Sequence, residues 1–248
     1  LLTETPELCR MLRVKQPLIT EKVLVKILHT ENEVVRSVTL PILFNAAGDG
    51  AALKQALDDL CAQAEAAVAG GKTFLVLSDR DADAASAPIP SLLAVSALHQ
   101  HLVSRQLRAH VALVVDSGDP REVHHFATLL GFGADVICPY MAYVTLRDLC
   151  ARGLYIDDEA DKSCKNFIKA VNKGLLKVMS KMGISTIQSY RGAQIFEIVG
   201  LNRDVTQAYF EGTVSRVQGI GLEQIAEEAL ANHASCFTQG VAGTADLP

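Results

Sequence analysis

The chain has 248 residues, 49% of them hydrophobic and 21% charged, with a net charge of -5. That length can bury a substantial core, and the composition excludes intrinsic disorder. The negative balance, with no tryptophan and 5% aromatic residues, excludes a basic nucleic-acid footprint or a base-stacking platform.

The opening segment, LLTETPELCR, lacks the basic start and long apolar stretch of a secretory signal. It also lacks an initiator methionine, so the chain is expected to be a piece of something longer. Thr20 is placed to cap a helix running to about His29. A β-rich run follows from Val38 to Phe44, in which Pro41 marks an edge, a bulge or a late strand start. Ala51 to Ala69 reads as an alanine-rich helix closed by Gly70 and Gly71. Strands at Thr73 to Leu77, Val111 to Val115 and Ala134 to Ile137 alternate with helices at Ser91 to Arg105 and Pro120 to Leu130. Asp119 is expected to cap the last of these helices and Gly131 to close it in the left-handed conformation. Continuous apolar strands separated by helices indicate a parallel sheet covered on both faces.

In the second half, Lys165 to Met182 reads as one long amphipathic helix. Ile168, Val171, Leu175, Val178 and Met182 share one face, and Lys165, Lys169, Lys173, Lys177 and Lys181 run down another. Gly174 inside it is expected to allow close packing, and Gly183 to cap its end. A short strand is expected at Ile184 to Gln188, helices at Gly192 to Val199 and Asp204 to Phe210, and a last helix around Leu222 to Leu230. The expected division is a connecting segment over 1–36, a body over 37–233 and a linker tail over 234–248. No apolar run reaches the roughly 18 residues of a membrane helix. With about four strands in the alternating part, the fold class is α/β, an incomplete (β/α) barrel-like domain.

The residues alone supply few chemical signatures. Cys9, Cys61, Cys138, Cys150, Cys164 and Cys236 are irregularly spaced with no C-x-x-C pair, which fits reduced thiols better than zinc or a disulfide scaffold. Neither His99 with His101 nor His124 with His125 has the four-residue spacing of helical metal ligands. The loop Asn45-Ala-Ala-Gly-Asp-Gly follows a strand and opens a helix, so its amides could hold a phosphate; an ordinary turn explains it as well. Ser78, Asp79 and Asp116 follow strands, where ligands bind in α/β sheets, although loop and capping roles account for them too.

Longer blocks carry a resemblance. KVMSKMGISTIQSYRGAQIFEIVG from Lys177, SDRDADAASAPIPSLLAVSALHQHL from Ser78, VVDSGDPREVHHFATLLGFGADVICPYMAY from Val114 and GIGLEQIAEEAL from Gly219 resemble the central domain of the glutamate synthase large subunit. The resemblance covers roughly Thr20 to His233 and implies a degenerate relative of the FMN-binding barrel. It also implies a parent enzyme that makes two glutamates from glutamine, 2-oxoglutarate and a reductant. In such an enzyme an amidotransferase domain releases ammonia, which crosses a tunnel to an FMN site fed by an iron–sulfur cluster. No catalytic, cofactor-binding or metal-binding residue is expected in this segment. Its expected partners are the amidotransferase and FMN-binding domains of the same polypeptide, with a small electron-donating subunit or ferredoxin. The location implied is the cytoplasm, or the plastid stroma for a plant or alga. Asn45, Ser78, Asp79, Asp116 and Tyr140 are candidates for the tunnel wall, and Ser185, Gln188, Tyr190 and Arg191 for an interdomain contact. The alternatives are a free-standing barrel-like enzyme acting on a small phosphorylated substrate through the Gly48/Gly50 loop, and an interaction module using the lysine row.

Overall fold

A computed structural model describes residues 11–30, 32, 34–154 and 159–237. Its centre is a parallel sheet of β1 (Ser37–Pro41), β3 (Phe74–Ser78), β5 (Ala112–Asp116) and β6 (Val136–Cys138), hydrogen-bonded in that order. β3 and β6 are buried along their whole length and β5 over all but its first residue, which is why they read as unbroken apolar runs. Between them lie α2 (Gly50–Ala69), α3 (Ser91–Ser104) and α4 (Val123–Gly131). Each strand pairs with the next in chain order and no strand order reverses. That is the winding of a barrel stopped part-way, as expected from the strand count, and not that of a doubly wound sheet.

The far edge of β6 is not bare. Leu18 bridges Ile137 in parallel, with the Ile19 amide on the Ile137 carbonyl at 2.9 Å and the Ile137 amide on the Pro17 carbonyl at 2.8 Å. α1 (Glu21–His29) then leads from that edge back to β1, so residues ahead of the first strand complete the sheet. Pro41 is the last residue of β1, and the apolar run breaks there. β2 (Leu43–Asn45) turns away to pair with β4 (Ser86–Pro88) in an antiparallel ribbon. Ile42 bonds the Ser78 carbonyl at 2.9 Å, and the buried Ile42, Phe44, Ala87 and Ile89 cover the C-terminal ends of β1 and β3.

α5 (Tyr140–Ala151) packs with α6 (Ala160–Met182), and α4 packs on α6 as well. Gly174 is required there, because a Cβ at that position would stand 2.7 Å from Val123 Cγ1. Gly183 closes α6 in the left-handed conformation at φ 70. The start of α4 differs from the sequence reading. Glu122 caps it in a reciprocal capping box with His125, while Asp119 accepts the Ser91 amide at 2.9 Å and serves α3. At its other end Gly131 stays helical, and Gly133 takes the positive φ of 124.

Ile184 to Gln188 is not a strand, since Thr186 caps the single turn α7 (Ile187–Tyr190). Nor is Gly192 to Val199 helical. That stretch leads into β7 (Glu197–Leu201), which pairs in parallel with β8 (Val214–Ile220) around α8 (Arg203–Tyr209). α9 (Leu222–Phe237) packs on α2 and extends past His233, where a linker was expected to begin. The remainder of that expected linker, 238–248, lies outside the described residues.

Candidate functional site

The C-terminal ends of β3, β5 and β6 bring Ser78, Asp79, Asp116 and Tyr140 into one cluster. Asp116 receives Arg80 in a two-pronged ion pair, Nε at 2.6 Å and Nη2 at 2.9 Å, and the Ser78 hydroxyl at 3.1 Å. Asp79 accepts the Ser117 hydroxyl at 2.6 Å and the Gly118 amide at 3.1 Å, with the Tyr140 phenol near enough to influence its charge. The Arg80 guanidinium lies 4.0 Å from the centre of the Tyr140 ring, a cation–π contact that ties the two halves together. Glu21 of α1 then bridges Arg80 at 3.6 Å and Arg147 at 2.6 Å.

Ser78, Asp79, Asp116 and Ser117 are all buried. Burial raises the Asp79 pKa, although Ser117, Tyr140 and Gly118 oppose that shift. Burial, with Asp79 beside it, pushes the Tyr140 phenol up as well, so it remains a proton donor. The buried side-chain atoms left without a partner among the described residues, Asn172 Oδ1 and Ser215 Oγ, lie outside the cluster. It contains no histidine to serve as a base. Such a network of buried, hydrogen-bonded carboxylates fixes geometry.

Asn45 stays out of this network. It is exposed at the end of β2, and its side-chain oxygen closes its own turn by accepting the Ala47 amide at 2.9 Å. The glycine-containing loop after it is occupied by the chain's own carboxylates. Asp49 accepts the Ala51 and Ala52 amides, both at 3.0 Å, and Glu223 from α9 accepts the Gly50 amide at 3.0 Å. The amides that a phosphate would need are therefore already paired.

The other candidates sit at the opposite end of the sheet. Arg191 pairs with Asp135, the residue before β6, and also donates to Gln188. The same carboxylate accepts Arg108 at 2.9 Å and the Leu113 amide at 2.8 Å. Arg108 further donates to the Val111 and Gly133 carbonyls and to His99 Nδ1 at 3.0 Å. Tyr190 is buried, with its hydroxyl on the Ala127 carbonyl at 3.1 Å, whereas Ser185 is exposed. A cleft of about 470 Å3 opens beside them, walled by His99, Phe132, Tyr190 and Phe196.

Burial, with Arg108 and Arg191 nearby, lowers the His99 pKa to about 4. The unfolded chain therefore binds a proton at this residue that the folded chain refuses between pH 6.5 and 4. Stability from this group is complete above pH 6.5 and falls through that window. Discounted for partial exposure, the loss is about 1–2 kcal/mol. His99→Asn keeps an acceptor for Arg108 and is expected to flatten this acid limb in urea midpoints measured from pH 7 to 4. An unchanged limb would assign the pH dependence to other groups.

Sequence reasoning missed Arg80, Arg108, Asp135 and His99. Arg80 lay inside the quoted strand-end motif, whereas Arg108 and Asp135 gave no local signal, because their pairing spans 27 positions. An FMN phosphate does not fit the strand-end cluster, where it would meet Asp79, Asp116 and Asp119 with Arg80 already engaged. Among the described residues no three His, Cys, Asp or Glu side chains group to hold a metal.

A family model for the glutamate synthase central domain matches residues 1–202. The glutamate synthase [NADPH] large chain of Bacillus subtilis is 50% identical over 185 residues, covering 75% of this chain and 12% of that relative. A glutamate synthase [NADH] of Schizosaccharomyces pombe is 41% identical over 91% of this chain and 11% of its own length. The chloroplastic ferredoxin-dependent enzyme of Spinacia oleracea is 39% identical over 96% of this chain and 15% of its own. A flavocytochrome b2 variant solved with benzoylformate is similar at a TM-score of 0.44 and 13% identity, over 64% of this chain and 40% of that one. The chain thus spans only a small fraction of the curated relatives it matches, and it belongs to the glutamate synthase central domain family.

Proposed function

We propose that this domain is a non-catalytic wall and spacer within a longer glutamate synthase that converts glutamine, 2-oxoglutarate and reductant to two glutamates. One observation carries this reading. The strand-end face, where barrel enzymes place their ligands, is closed by the Arg80–Asp116 pair, by Asp79 on Ser117 and Gly118, by Arg80 over Tyr140, and by the β2–β4 ribbon. In the parent enzyme, ammonia released at a glutaminase site must reach a flavin site without being protonated by bulk water. A rigid, internally satisfied surface excludes solvent and fixes the distance between the two sites. The Ser78, Asp79, Asp116 and Tyr140 face is the proposed tunnel side, with Asn45 at its margin. The Ser185 to Arg191 segment, at the other end of the sheet, is the proposed interdomain contact. The proposed body is wider than the expected 37–233: it takes in the Leu18 edge and α1 at its front and the end of α9 at Phe237.

FMN and an iron–sulfur cluster are assigned to other domains of the parent. The proposed electron donor is a small subunit or ferredoxin, the latter being the donor that the name of the Spinacia oleracea relative gives. Among the described residues no helix is long and apolar enough to cross a membrane, and cytoplasm or plastid stroma is the proposed location.

FMN titration of the chain tests the reading. No thermal shift and no fluorescence quenching are expected, whereas a real site would add about 2.7 kcal/mol at 100 times its Kd. Saturable quenching with a raised melting temperature would overturn the non-catalytic assignment.

A further inference from the structure

α6 carries the longest series of consecutive like charges in the sequence. From Lys162 to Lys181 there are six lysines and no aspartate, glutamate or arginine, over about 28 Å of helix at 1.5 Å per residue. All six are exposed, and Lys165, Lys169, Lys173, Lys177 and Lys181 make no ion pair among the described residues. Exposed helix faces ordinarily mix signs, which supports the helix through pairs four residues apart. Those five lysines do so nowhere among the described residues, in a chain whose net charge is -5. Near the middle of the row stands Leu176, which is 65% exposed, three residues after Lys173 and next to Lys177. The buried face of α6, through Ile168, Val171, Leu175 and Met179, already anchors the helix, so its own packing does not call for an exposed leucine here. An apolar spot within a charged rim is the anatomy of a protein contact.

We infer that the outward face of α6 docks the acidic surface of another protein, with Leu176 as its apolar centre. Charge complementarity selects carboxylates. Lysine ammonium groups are strongly hydrated point charges suited to reversible, salt-sensitive contacts, and the row lacks the arginine forks that favour phosphates. The inference rests on α6 alone and stands or falls independently of the tunnel reading.

The test uses the intact chain and two defined acidic polymers, poly-L-glutamate and a glutamate–tyrosine copolymer, with duplex DNA and phosphatidylserine vesicles as comparison ligands. Lys169→Glu, Lys173→Glu and Lys177→Glu combined are expected to weaken polymer binding about tenfold at low salt. A control with the same change in net charge, Lys15→Glu, Lys22→Glu and Lys26→Glu, is expected to weaken it less than about twofold. That difference should shrink as salt shortens the screening length to about 10 Å near 0.1 M. Leu176→Ser is expected to weaken the copolymer several-fold and leave poly-L-glutamate nearly unchanged. These substitutions are at exposed positions, and thermal midpoints confirm folding. Three results would overturn the inference: equal losses for the two triple variants, copolymer binding indifferent to Leu176→Ser, or tighter binding of DNA or vesicles than of either polymer.

Discussion

Asp135→Ala is expected to destabilise the domain by about 3–5 kcal/mol. Asp135 is the shared partner of two arginines, Arg108 and Arg191, whose side chains are 16% and 18% exposed. Burial already lowers the Arg108 pKa to about 10, and Arg191 is pushed down by burial and by Arg108. The pair therefore repels itself and depends on the carboxylate between the two. Without it, two like charges stay buried and the Leu113 amide loses its acceptor. Arg191→Ala, by contrast, leaves Asp135 with Arg108, so a smaller loss is expected. Urea unfolding of the three proteins checks the order. A loss below about 1 kcal/mol for Asp135→Ala would mean that the arginines escape to water and that the cluster does not hold the Gln188 to Arg191 segment in place.

The second large effect is expected at Tyr143, which is 1% exposed. Its ring meets Phe167 of α6 edge-on at 6.1 Å, and its hydroxyl donates to the Ile19 carbonyl at 3.0 Å. One side chain thus fastens both α6 and the segment that completes the sheet beyond β6. Tyr143→Ala removes the ring as well as the bond, and about 3–5 kcal/mol is expected to be lost. Tyr143→Phe keeps the ring and orphans one carbonyl, for about 1 kcal/mol. Hydrogen exchange at the Ile19 and Ile137 amides separates the two terms. Both amides should exchange faster in the phenylalanine variant while the sheet centre stays protected. Protection unchanged at Ile19 would show that the segment is held by packing alone.

The parts of this fold that were legible in the sequence are those decided by local chemistry. The inner strands announced themselves because both of their faces are buried, and α6 did so through its period and the left-handed Gly183. Asp119 and Pro120 looked like a helix start, yet Asp119 serves α3 across the fold, and only tertiary structure assigns a capping residue to one of two helices. α5 buries only Ala142 and Tyr143, too few apolar positions to show a helical period in the sequence. β7 and β8 were illegible because they form a ribbon with little burial, leaving Val199, Val214 and Val217 exposed and no regular alternation to read. The strand-end candidates could be found because ligand-facing positions follow parallel strands. Their pairing with Arg80, and the Arg108–Asp135–Arg191 cluster at the other end, could not be read, since both join residues from separate elements. The phosphate-loop reading failed on one tertiary fact, the Glu223 carboxylate lying on the Gly50 amide.

The central claim is that the strand-end face keeps ammonia from water. Tyr140 is the side chain on which to test it, because it lies beside both Asp79 and Arg80 and belongs to no proposed catalytic group. The measurement is the ratio of glutamine consumed to 2-oxoglutarate consumed, with free ammonia assayed alongside, in the full-length enzyme carrying Tyr140→Ala. The expected result is glutamine use in excess of 2-oxoglutarate use, with ammonia appearing in solution and folding retained. Unchanged stoichiometry with no released ammonia would contradict the account and move the tunnel wall elsewhere.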